Sequence, residues 1–165
     1  MSTVQAQEPI LHKDFVTVAP VPLTTITRGR ASNLELQFRV RPGYHINSNK
    51  PNSKLLIPTL LRLDPPTDVV IGRVTYPEAQ QMAFAFSPDD QLSVYTGDFA
   101  VNVAIRPLVH MQSGKYAVHG QLKYQACDDS ACYPPKLLPV NFEIQVLKNP
   151  VAPRKNPAQS PHVHQ

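Results

Sequence analysis

The chain has 165 residues, 42% of them apolar and 17% charged, which is one domain's worth with enough apolar material for a core. Eighteen prolines and no tryptophan argue against long helices and for short strands joined by ordered turns. The net charge of +4 is sixteen Lys and Arg less twelve Asp and Glu, and the cations are spread along the chain with no basic run, so the clustered footprint that nucleic acid requires is absent, and no run approaches the roughly 18 apolar residues of a membrane span.

Residues 1–11 read as a flexible N-terminal segment. "MSTVQAQEPI" lacks the apolar stretch of an intact signal peptide, while Val4-Gln5-Ala6 has the small-x-small look of a leader's cleavage site. From 12 to 148 the pattern has period two. "LELQFRV" sets Leu34, Leu36, Phe38 and Val40 against Glu35, Gln37 and Arg39, as a half-buried strand does. "KLLIPTLLRL" and "VVIGRVTY" are more continuously apolar and read as shorter strands. "FAVNVAI" resumes the alternation after the turn "TGD", "YAVHGQLKYQA" carries it on Tyr116, Val118, Gly120, Leu122 and Tyr124, and "LPVNFEIQVL" on Val140, Phe142, Ile144 and Val146. Residues 149–165 form a Pro-rich linker or tail, whose His162-x-His164 pair is an incidental metal-catching pattern in a loose terminus. No helical stripe and no solenoid repeat interrupts this order. Seven to nine strands divided by Pro, Gly, Asn and Asp turns predict an all-β fold, an immunoglobulin-like antiparallel β-sandwich, with a closed barrel as the competing architecture.

Both cysteines fall in "YQACDDSACYPP", where a strand ending at Tyr124 meets Pro134-Pro135 before the next begins near Leu137. Three readings of Cys127 and Cys132 stay open on spacing alone. As a structural bridge the pair would close a loop of about six residues, gaining roughly 2 kcal/mol against about 4.7 for a loop of about 100. As zinc ligands they would need two more, and His45, His110 and His119 show no paired spacing. As a redox pair they could open and close while constraining few other residues. Asp128 and Asp129 are turn-formers by composition, and as like charges they would raise the thiol pKa values, making thiols that wait for a more reactive partner thiolate.

Together with "FRVRPGYHINSNKP", "VYTGDFAVNVAI" and "LLPVNFEI", this motif resembles the periplasmic N-terminal domain of DsbD-type thiol:disulfide interchange proteins, from about Phe15 to Val146. The resemblance implies an immunoglobulin-like sandwich whose dithiol takes electrons from a thioredoxin-like donor and passes them to disulfide-bonded partners outside the cytoplasm, including thioredoxins of cytochrome maturation. It implies that Cys132 forms the mixed disulfide and Cys127 resolves it, that no cofactor is needed, and that the domain acts as a monomer, possessing no membrane span of its own but tethered to a membrane module in full-length members. It also implies an aromatic cap loop, for which Phe84 and Phe86 in "QQMAFAFSPDD" are the matching residues; without it they read as ordinary core aromatics sharing a strand face. The cysteine loop is a residue shorter than in well-known members, the cap region is longer, and His45 and Asn47 stand where aromatic hydroxyls are expected.

His45 beside the dithiol would favour a thiolate when protonated, whereas at a strand end it would be a solvated ring. Tyr133, Pro134 and Pro135 are expected to set the exit of the cysteine loop. Two other functions compete with the carrier: a non-catalytic binding or assembly module with a structural disulfide, and a cysteine hydrolase pairing Cys132 with His45.

Overall fold

The structure is a computed structural model describing residues 14–149. The N-terminal segment 1–11, the His162-x-His164 pair and the tail beyond Asn149 lie outside the described residues.

Twelve strands and no helix are found among the described residues: β1 Val16–Val18, β2 Thr24–Thr27, β3 Ser32–Val40, β4 His45–Asn47, β5 Leu60–Asp64, β6 Val69–Thr75, β7 Gln80–Phe84, β8 Ser87–Tyr95, β9 Asp98–Pro107, β10 Gly114–Tyr124, β11 Ala126–Cys127 and β12 Lys136–Leu147. They exceed the expected seven to nine because β1, β2, β4 and β11 have only two to four residues each. Segments that short cannot display a period.

Two four-stranded sheets, β1-β3-β9-β6 and β2-β12-β10-β5, form the layers of an immunoglobulin-like sandwich. Alternation decides which faces meet. Leu34, Leu36, Phe38 and Val40 of β3, Val101, Val103 and Ile105 of β9, and Val140, Phe142, Ile144 and Val146 of β12 are all buried in one core, while Glu35, Gln37 and Arg39 face water. Phe38 stacks on Phe99, and Phe99 on Tyr95, each pair at 5.2 Å between ring centres. All pairings are antiparallel except that of β2 with β12, which is parallel.

Gly120 has a steric role within this frame. A Cβ there would lie 2.5 Å from both the Arg62 carbonyl oxygen and Leu63 Cδ2 of β5. Gly120→Ala is therefore expected to cost about 1–2 kcal/mol through forced overpacking, read as a lower denaturant midpoint at unchanged slope. An unaltered midpoint would mean that β5 yields freely.

One expected strand is only half formed. In "KLLIPTLLRL" the strand begins at Leu60, and Lys54–Leu56 form turns. Polar groups there bond to residues in and beside β4 and to Gln125, outside any strand ladder. Asn47 Nδ2 donates to the Ile57 carbonyl (3.0 Å), the Ile57 N–H donates to Gln125 Oε1 (3.2 Å), and Thr59 Oγ1 donates to the Asn47 carbonyl (2.5 Å).

A third sheet, β11-β4-β8-β7, sits at one end of the sandwich. Its strands prolong those of both layers: β4 follows β3, β8 runs into β9, and β11 follows β10. The turns that redirect the chain there contain Gly43 (φ 86°) and Gly97 (φ 60°), left-handed conformations that glycine adopts without steric cost.

Candidate functional site: a two-cysteine loop at the end of the sandwich

Cys127 and Cys132 form a disulfide within the third sheet. Their backbones face each other as an antiparallel bridge with Cα atoms 4.0 Å apart. Hydrogen bonds flank the bridge on both sides: Asp128 N–H to the Ala131 carbonyl (2.9 Å) and Tyr133 N–H to the Ala126 carbonyl (2.8 Å). The loop is thus a miniature hairpin that holds its shape through the backbone.

Asp128 closes the hairpin's turn. Its Oδ1 accepts the N–H groups of Ser130 (2.9 Å) and Ala131 (2.8 Å) and the Ser130 hydroxyl (3.0 Å). Its Oδ2 accepts the Tyr133 hydroxyl. These donors, Tyr133 foremost, hold the Asp128 carboxyl well below the usual carboxylate range, and the same bond pushes Tyr133 up to about 12. The expected turn-forming role of Asp128 is met, but the acid is engaged by the loop's own donors. Tyr133 does more than set the exit: it clasps Asp128 across the two cysteines and stacks on Phe15 at 5.2 Å.

The two sulfur positions differ in access. Cys127 is wholly buried, while Cys132 is exposed.

His45 is buried, with 2% of its surface exposed, and is the register partner of Cys127 across β4 and β11. The solvated strand-end alternative for its ring therefore does not hold. Burial lowers its pKa, while Asp129 and then Asp128 pull it back upward to a smaller extent. Its ring lies parallel to Phe84 at 3.9 Å, and Phe84 stacks in turn on Phe86 at 5.7 Å. Phe84 ends β7 and is buried, whereas Phe86 lies in the turn before β8 and is 40% exposed. The two do not share one strand face as expected, because the strand ends between them. The turn nevertheless keeps the rings in contact.

Phe84 also belongs to a small apolar cluster with Leu92 and Val94, separate from the main core. Asn47, fully buried two residues beyond His45, bonds to Ile57 and to Gln125 Oε1 (3.1 Å). It braces the strand from which His45 projects. Sequence reasoning missed Gln125 and Thr59, whose only signal is their proximity in sequence to β11 and β5.

The zinc alternative loses its ligands. His110 lies beside Asp68 (3.2 Å) and His119 beside Asn141 (2.8 Å), both away from the cysteines, and among the described residues no three His, Cys, Asp or Glu side chains converge. The hydrolase pairing also fails on geometry, since the sheet aligns His45 with Cys127 instead of Cys132.

Fold and site together define an immunoglobulin-like β-sandwich with a self-contained disulfide loop at one end, the class of a thiol:disulfide interchange domain. The family model described as "Thiol:disulfide interchange protein DsbD, N-terminal" matches residues 13–142, and the chain belongs to that family. Among solved structures it is similar to the reduced DsbD N-terminal domain of Neisseria meningitidis, at 23% identity over 68% of this chain and 76% of that one, with a TM-score of 0.40. It is also similar to the N-terminal periplasmic domain of ScsB from Proteus mirabilis, at 10% identity over 78% of this chain and 43% of that one (TM-score 0.46). A third similar structure is the complex between the DsbD and PilB N-terminal domains of N. meningitidis, at 20% identity over 68% and 73% (TM-score 0.37). No curated protein matches the chain.

Proposed function

We propose that this chain is an electron-carrying thiol:disulfide interchange module of the periplasm, reduced by a thioredoxin-like domain and oxidised by disulfide-bonded partner proteins. The observation that carries this reading is the pairing of an exposed Cys132 with a buried Cys127 on a loop closed by backbone hydrogen bonds as well as by the disulfide. In the reducing half, a donor thiolate attacks Cys132 Sγ, the internal disulfide breaks, and its electron pair leaves on Cys127, which takes up a proton. A second donor thiolate then attacks the mixed disulfide and releases Cys132 as a thiolate. In the oxidising half, Cys132 thiolate attacks a partner's disulfide, and Cys127 attacks Cys132 to release the reduced partner. No metal or organic cofactor enters either half.

Equilibration with glutathione and dithiothreitol buffers tests the reading. The loop is expected to titrate between dithiol and disulfide at a potential above about −300 mV. A value far below that would make the bond a permanent bridge, as in a non-catalytic assembly module.

Phe84 and Phe86 serve in this reading as a cap. Phe84 covers the imidazole next to Cys127, and Phe86 presents an apolar tip to solvent. Replacing both by alanine removes stacking contacts of about 0.5–1.5 kcal/mol, so reduction by dithiothreitol is expected to quicken by roughly two- to twelvefold. An unchanged rate would leave the pair as core aromatics.

A further inference from the structure

The cycle above leaves the buried His45 without a task. His45 and Cys127 are directly opposed on neighbouring antiparallel strands, which puts their side chains on one face with Cβ atoms about 4.5–5.5 Å apart. Both are buried, and His45 Nε2 has no hydrogen-bond partner. An unsatisfied buried nitrogen costs about 1–3 kcal/mol, and of the two unpartnered buried side-chain atoms on β4, His45 Nε2 and Asn47 Oδ1, only the imidazole can take up a proton. The cleft around it bears on that. The cysteine loop contributes Asp129, with Asp128 adjoining Cys127; the turn before β4 contributes Arg41 and Tyr44; the β7–β8 side contributes no charge, only Met82, Phe84 and Thr96. An apolar wall favours the neutral imidazole, and Asp129, with a smaller contribution from the already engaged Asp128, favours the charged one.

We propose that His45 is the general base of the resolving step, taking the proton of the Cys127 thiol as that sulfur attacks Cys132. The inference rests on the interchange reading. With Cys132 joined to a partner sulfur, the Cys127 proton passes to Nε2, and the freed electron pair forms the new bond to Cys132 Sγ. The bond between Cys132 and the partner breaks, its pair leaving on the partner as thiolate, and the imidazolium returns its proton to that sulfur or to water. Two electrons have then moved from the dithiol to the partner. In reverse the imidazolium protonates Cys127 as it leaves.

The test uses the reduced protein and dithiobis(nitrobenzoate). Attack by exposed Cys132 releases one thionitrobenzoate, and attack by Cys127 on the resulting mixed disulfide releases a second, so stopped-flow absorbance separates the two events. His45→Phe keeps an aromatic face for Phe84, and His45→Gln keeps polarity. Both are expected to leave the first release within about twofold of the native rate and to slow the second about tenfold or more near neutral pH, with recovery as the pH rises and hydroxide replaces the base. A native second phase and pH profile in both variants would overturn the assignment. Slowing in the glutamine variant alone would mark a packing effect and overturn it too. If the native protein gives no second release, the interchange reading itself fails, and the role of His45 with it.

Discussion

Cys127→Ser is expected to convert the protein from a catalyst into a trap. Cys132 still attacks a partner's disulfide, but the adduct persists because no second sulfur stands behind it. Turnover of a disulfide-bonded substrate should fall by about a thousandfold or more, since resolution then depends on solution thiols instead of a neighbour with a high effective concentration. Covalent species should accumulate on non-reducing gels and identify the partners by mass. Cys132→Ser should give no adduct, because the remaining sulfur is enclosed by Ala126, His45 and the strands around them. Equal trapping by both variants would contradict the assignment of roles.

The second large effect concerns Asp128. Its carboxylate gathers the N–H groups of Ser130 and Ala131 and two hydroxyls, and so braces the turn that joins the two cysteines. Prearrangement of this kind favours the closed form by reducing the ordering that bond formation requires. Asp128→Ala should therefore make the disulfide easier to reduce, raising the potential by about 30–60 mV, which corresponds to about 1.4–2.8 kcal/mol. Asp128→Asn keeps an acceptor and should fall between. A potential unmoved in the alanine variant would show that the backbone bonds alone suffice.

The pH dependence follows from the signs. The folded Asp128 pKa is depressed, so its contribution is present above the ordinary carboxylate range and is lost only as the pH falls well below it. The folded Tyr133 pKa is raised to about 12, so the contribution of its hydroxyl is complete below the ordinary tyrosine value near 10 and is lost as the pH climbs towards 12. Between about pH 4 and 10 the clasp should contribute no inflection to the potential. An inflection near neutrality would then point to the thiols or to His45.

How much of this was legible in the chain depended on the length of each segment. β3, β9, β10 and β12 run for nine to twelve residues, and their alternation displays the buried face directly. β4 and β11, with three and two residues, carry no period, yet they place His45 against Cys127. The disulfide loop could be found because cysteine is rare here and its motif is specific. Which sulfur is exposed, and which acid holds the turn, could not be read from adjacent letters: Asp128 and Asp129 look equivalent until the fold turns one inward to its donors. His45 was legible as a neighbour of the dithiol but not as a buried one, because its enclosure comes from Phe84 on a hairpin some forty residues away.

The satellite cluster of Phe84, Leu92 and Val94 has a mechanical consequence. It gives the β7–β8 hairpin an apolar anchor of its own, held to β4 by the pairing of Val94 with Asn47. If the proposed cap holds, a docking protein would part the Phe84 and Phe86 rings from His45 while the β4–β8 pairing behind them and the interior between the two main layers stay closed, so access to the sulfurs and the melting temperature of the domain would be separately adjustable.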